Sequence, residues 1–246
     1  MSETTIRNIG KGIWVFERPF RLFGAEFGNR MSVIKLANDE LLLHSPIALD
    51  QTVKEQIEAL GRVAYLITPN AFHGLYVDEW RAAFPKAKHR TAKSDMQRGA
   101  SSMNLSDCSE LPLLPSEIEM IQVQGAPKAN EFLFFHTPSR TLIVTDLAFN
   151  IGGDVSLWTK IFFSLNDSYG KFGPSRLMRS MVEDQSALRD SLLKIFEWDF
   201  DQIVVSHGLV VERNGKEVMR DAFQHYLTIT SGQRKTTPMH TPIRCG

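Results

Sequence analysis

Residues 132–150, FLFFHTPSRTLIVTDLAFN, constrain this chain more than any other stretch. They read as two apolar strands, 132–135 and 141–145, joined by a Thr-Pro-Ser-Arg turn. Leu142, Ile143 and Val144 form the continuous apolar run that a strand buried on both faces needs, and the run stops at Asp146. A carboxylate where a buried strand ends is a common way to build a site. If His136 pairs with Thr141 across the turn, counting back along an antiparallel ladder sets Glu131 opposite Asp146. His136 then lies at the turn end, roughly 17 Å from Asp146 at about 3.3 Å per residue. The hairpin therefore predicts Glu131, and not His136, as the neighbour of Asp146.

Upstream, residues 12–16 (GIWVF) and 31–36 (MSVIKL) read as strands separated by a Gly-rich loop, and Asn38-Asp39 turns the second into 41–44 (LLLH). Asp50 is placed to cap a helix in which Val53, Ile57 and Leu60 recur at helical spacing until Gly61 stops it. Residues 64–67 form the next buried strand. Hairpin, helix, strand in that order implies a crossover that lays a helix on a sheet face, so the class is α/β and the sheet is mixed. The strand runs into Thr68-Pro69-Asn70-Ala71-Phe72-His73-Gly74, where Pro and Gly end regular structure. A helix is expected over 77–84, a polar connector over 93–117 and a strand over 118–123. An aromatic-rich flap or irregular helical insert should follow over 150–174, then an amphipathic helix over 186–196. A strand over 203–205 ends at Ser206-His207-Gly208, and a last helix covers 217–228.

At 246 residues the chain has room for one large domain, expected over 1–230, with a polar tail at 231–246 too poor in apolar residues to pack. Lys plus Arg (28) balances Asp plus Glu (28), which removes the broad positive field of a nucleic-acid or anionic-membrane binder. A small-molecule substrate or ligand is the expected partner, and the oligomeric state is left open. Cys108 and Cys245 have neither disulfide nor zinc-knuckle spacing, which fits a reducing compartment. The first 20 residues lack the apolar core of a signal peptide and no window approaches a membrane span, so a cytoplasmic location is expected.

Four strands end at polar residues: His44, the 68–73 loop, Asp146 and His207. Ligands gather beyond the carboxyl ends of strands in mixed α/β sheets, so these residues are candidates for one site. Each alone has a plainer reading, an edge side chain capping a nearby backbone group.

LLLHSP, a helix, LITPNAFHGL, TLIVTDLAFN and IVVSHG, in that order and spacing, resemble the metallo-beta-lactamase fold, and most closely its degenerate DUF4336 branch. The resemblance runs from about Gly12 to Leu227. It implies a four-layer αββα sandwich of two mixed sheets with the site on their edge. Active members carry His-x-His-x-Asp-His in the loop that here holds Thr68, Asn70, Phe72 and His73, so only the last ligand survives. Asp146 matches the usual metal-bridging aspartate and His207 the final histidine of the second site. The remaining family histidine has no counterpart, and the hairpin count favours Glu131 over His136 near that place.

With three loop ligands replaced, the resemblance implies at most one zinc or other divalent ion, on His73, Asp146 and His207 with Glu131 in support. Three N/O ligands plus water is the pattern of a catalytic mononuclear zinc. Asn70 and His44 are the candidates to orient water or stabilise an oxyanion, His44 also as a further ligand or a partner of one. Two functions remain open: a metal-dependent hydrolase of ester, lactone, thioester or phosphoester bonds, or a non-catalytic relative that binds a ligand or protein. In the second, His73, Asp146 and His207 hydrogen-bond one another without metal.

Overall fold

The computed structural model describes residues 4–91 and 115–228. The tail at 231–246 and most of the 93–117 connector, with both cysteines, lie outside the described residues. The chain begins with strands β1 (Thr5–Gly10) and β2 (Ile13–Arg18), a small hairpin β3 (Arg21–Leu22) and β4 (Ala25–Glu26), then β5 (Asn29–Lys35) and β6 (Glu40–His44). Helix α1 (Gln51–Leu60) crosses over to β7 (Arg62–Thr68), and α2 (Val77–Ala83) leads to β8 (Lys88–Thr91). These strands build one sheet in the order β1-β2-β5-β6-β7-β8, antiparallel up to β6 and parallel beyond it. Asp50 caps α1 by accepting the Val53 amide at 2.8 Å, and Gly61 ends it, as the sequence predicts.

The second sheet contains β9 (Ile118–Gln122), β10 (Phe132–His136), β11 (Thr141–Val144) and, after helices α3 (Leu157–Leu165), α4 (Arg176–Ser180) and α5 (Gln185–Ile195), the strand β12 (Gln202–Val205). Its order is β12-β11-β10-β9, with β11 and β12 parallel. Helix α6 (Gly215–Leu227) closes the fold. His136 pairs with Thr141, the register on which the hairpin argument rests.

Alternation along each strand sorts the core into layers. Leu41 and Leu43 of β6 face α1 and α2, packing on Val53, Ile57 and Trp80. Leu42 points the other way, into a layer with Ile13, Ile34, Ile67, Phe134 and Ile143 drawn from both sheets. Leu133, Phe135, Leu142 and Val144 face Leu188, Leu192, Met219 and Phe223 of α5 and α6. The result is the four-layer αββα sandwich. A fourth cluster, Ala25, Phe149, Ile151 and Phe163, ties β4 and α3 together at one edge of the sandwich.

Candidate metal centre

His73, Asp146 and His207 arrive from three separate strand ends, after β7, β11 and β12, and their ligand atoms lie within 4.8 Å of one another. Among the described residues they are the group of three ligand-type side chains close enough to share an ion. His73 Nε2 lies 3.2 Å from Asp146 Oδ2, and His207 Nε2 lies 3.6 Å from Asp146 Oδ1. The far nitrogen of each ring is held. His73 Nδ1 is 2.7 Å from the Ser45 hydroxyl, and His207 Nδ1 is 2.8 Å from the Gly28 carbonyl. A metal-binding histidine is normally fixed in this way through its other nitrogen.

Burial would push Asp146 upward, but His73, His207 and the Asn70 amide hold its carboxyl well below the usual range. Burial also pulls His73 down, but the charge and hydrogen bond of Asp146 together with the Glu131 charge outweigh it, leaving His73 raised. His207 is pushed down to about 4 by burial, against the pull of Asp146. At neutral pH the site therefore holds a carboxylate and a neutral His207.

Asn70, expected to orient water or an oxyanion, has no hydrogen-bonding capacity left. Its Nδ2 donates to Asp146 Oδ2 at 2.7 Å and to Thr145 Oγ1 at 3.0 Å, and its Oδ1 accepts the amides of Phe72 (2.9 Å) and His73 (3.0 Å). Two donors and two acceptor sites are all spent. It is a brace that fixes the His73 loop against the end of β11.

Glu131 sits beside Asp146 as the hairpin count predicts, but its oxygens are turned to the backbone. Oε1 accepts from the Thr145 amide at 2.7 Å, and Oε2 from Asp146 (2.9 Å) and Leu147 (2.7 Å). Burial, and then the Asp146 charge, push it up to about 7 against those amides. It positions Asp146 and stands outside the group of three, where the sequence places it as a supporting ligand. His136 bonds Ser139 in its own turn at 2.7 Å, away from the site.

His44 also differs from expectation. Alternation turns it into the layer between the sheets, 1% exposed, with its ring edge-on to Phe134 at 4.9 Å. Burial, then the His73 charge, depress it to about 3, and its Nε2 has no partner among the described residues. It belongs neither to the group of three nor to the lining of the cavity that they border.

Two residues that sequence reasoning passed over complete the scaffold. Ser45, whose hydroxyl holds His73, adopts a left-handed conformation at φ 59°, a strained choice for a residue with a Cβ. Arg30 is buried on β5 and pairs with Glu17 (2.8 Å through Nε) while donating to the carbonyls of Val205 and Gly208, on either side of His207. Gly208 itself has φ 99°, and a Cβ there would meet the Asn150 carbonyl at 2.2 Å. The loop that presents His207 therefore needs glycine at that position.

Two facing mixed sheets with helices outside and a histidine-aspartate cluster at their shared edge define a class, the metallo-beta-lactamase fold. The chain aligns with a metal-soaked flavodiiron core from Synechocystis sp. PCC6803 at 15% identity and TM-score 0.59, covering 92% of this chain and 61% of that one. A metallo-beta-lactamase from Pontibacter korlensis aligns at 10% identity and TM-score 0.57, covering 90% and 99% of the two chains. A metallo-beta-lactamase from Erythrobacter litoralis aligns at 13% and 0.55, covering 92% and 91%. At these identities the likeness is one of fold, and this chain shares that fold. Within it, residues 10–95 match the domain of unknown function DUF4336, a stretch that carries Ser45, Asn70 and His73. No curated protein matches the chain by sequence. Among the described residues, no helix is long and apolar enough to cross a membrane.

Proposed function

We propose that this chain is a hydrolase working with one divalent metal ion, zinc by preference, held by His73, Asp146 and His207. The observation that carries the reading is the tautomer of His207. Its Nδ1 faces the Gly28 carbonyl, which can only accept, so Nδ1 bears the hydrogen and Nε2 a bare lone pair. That lone pair points towards the Asp146 carboxylate at 3.6 Å, acceptor against acceptor. A cation between them satisfies both groups. Protonating His207 would do so as well, but its depressed pKa removes that route at neutral pH. The donor set, two imidazole nitrogens and a carboxylate, suits zinc, with His73 giving up its proton as the ion binds.

A divalent ion here supplies a Lewis acid and lowers the pKa of its water to about 7. The protein's own part is to keep the three donors convergent. Gly28 and Ser45 fix the imidazoles, Asn70 fixes the aspartate, and Glu131 fixes the strand end beneath it. Substrates are small molecules with an ester, lactone, thioester or phosphoester bond, handled in the cytoplasm rather than on nucleic acid or membrane.

The test is a panel of those four bond classes with the full chain and added zinc. Hydrolysis should vanish on chelation, return with zinc, and be absent in Asp146→Asn. A zinc-loaded chain that cleaves nothing on the panel would leave the alternative, a fold kept for ligand or protein binding. One observation favours that alternative: Asn70 stands at a family ligand position and has become a structural brace.

A further inference from the structure

We propose that the site takes uncharged esters carrying an unbranched apolar chain, the chain lying in the cavity beside Asp146 and a polar atom of the substrate bonding Ser168. This rests on the hydrolase reading and narrows its substrate class. The cavity has a volume of about 300 Å³ and includes His73, Asp146 and His207 in its wall. That volume is at the lower end for small-molecule sites and suits a chain better than a polycyclic body. Phe27, Phe149, Phe162, Phe163, Met178 and Met181 are among the apolar residues that line the rest, with Asn29, Asn166 and Ser175 as neutral polar ones.

Charge decides between the bond classes. Among the described residues, no lysine or arginine lines the cavity, and its titratable groups are the three candidate ligands themselves. A phosphoester, or an ester with an acidic substituent, would bury a negative charge against aromatic rings with no cation beyond the ion, at a large desolvation cost. A neutral ester carries no such charge. Hydrolysis joins water oxygen to the acyl carbon, breaks the bond to the alkoxy oxygen, and leaves the water's protons on the alcohol and the acid. No co-reactant is needed, and the acid product ionises beside Asp146, which favours its release.

Ser168 is the second, independent observation. It lines the cavity, is 1% exposed, and its Oγ has no hydrogen-bond partner among the described residues. A buried hydroxyl is costly unless something bonds it. The rim fits the same ligand: Leu22, Phe23, Phe72 and Leu177 are exposed and line the cavity's wall, an apolar path for a chain entering from water.

The test is calorimetric binding to the full chain, freed of metal and held at pH 8, of butanamide, hexanamide and octanamide and of the carboxylates of equal length. Amides mimic the neutral carbonyl without being consumed. Affinity should rise about four-fold per added methylene along the amides. Octanoate should bind at least ten-fold more weakly than octanamide. Ser168→Ala should weaken every amide by about five-fold with the chain-length slope unchanged. A flat amide series, octanoate binding as tightly as octanamide, or an unaltered Ser168→Ala would each overturn the assignment. If the amides bind as expected while the zinc-loaded chain hydrolyses no ester, the pocket assignment stands and the hydrolase reading fails. If esters are hydrolysed but the amide series is flat, the substrate class alone is wrong.

Discussion

Arg30→Met tests how the His207 arm is held. The guanidinium sits 7% exposed between Glu17 and the two carbonyls that flank His207, so it ties β2 and β5 of the first sheet to the strand end of the second. Methionine keeps the apolar stem and removes all of the donors. Breaking a buried ion pair by deleting one partner costs about 3–5 kcal/mol, because the other charge is stranded. Glu17 keeps partial support from Arg7 at 3.3 Å, which places the expected loss nearer about 3 kcal/mol. With a urea m-value of roughly 3 kcal/mol/M for a chain of this size, the unfolding midpoint should fall by about 1 M. Zinc affinity should fall about ten-fold or more, since the group lost orients a ligand. The double variant Glu17→Leu, Arg30→Met should recover part of the stability and none of the zinc affinity. A midpoint within about 0.2 M of the native protein, by the same m-value, would refute the argument that Arg30 braces this arm.

Glu131→Leu leaves the amides of Thr145, Asp146 and Leu147 without their acceptor and should lower stability by about 3 kcal/mol; an unchanged urea midpoint would show that those amides find other partners. His44 has a folded pKa of about 3 against an ordinary 6.5, so the unfolded chain takes up a proton that the folded chain refuses. Its contribution is complete above pH 6.5 and is lost as pH falls towards 3, at up to about 1.4 kcal/mol per pH unit. In His44→Phe that part of the acid sensitivity should disappear, and identical pH dependences of the two proteins between pH 7 and 5 would sink the idea. Asn70→Ala should keep the native circular dichroism and weaken zinc about ten-fold, as for other groups that orient ligands; tighter zinc binding would mean that Asn70 blocks the site rather than bracing it.

The parts legible in the sequence are those written as local pattern. The hairpin at β10 and β11 announces itself by two apolar runs, and its register carries Glu131 to Asp146 with no tertiary knowledge. Strand β1 escapes because it is a half-exposed edge strand with no alternation to read, and α4, at five residues, is shorter than two helical turns. The insert at 150–174 resolves into α3 with loops either side, its aromatics packing on β4 rather than forming a free flap. His44 shows the limit of strand-end reasoning: counting from Leu41 gives its face, but only the arrival of Phe134 from the other sheet closes it off. Arg30 had no readable signal at all, since its partners include a backbone carbonyl 175 residues away. Ser168 is equally silent, one serine in a polar turn whose burial depends on how α3 and the following loop pack.

The central claim is one ion on three ligands, and metal content tests it most directly. Native protein, His73→Ala and His207→Ala, each purified without chelator or histidine tag, are dialysed against a zinc buffer and analysed for zinc per chain. Occupancy should approach one in the native protein, fall in both variants, and decline in the native protein as pH falls through the raised His73 value, where a proton competes with the ion for that imidazole. Two tightly held ions per chain would contradict the argument that Thr68, Asn70 and Phe72 have removed the other site, and no zinc in any of the three samples would contradict the metal centre itself.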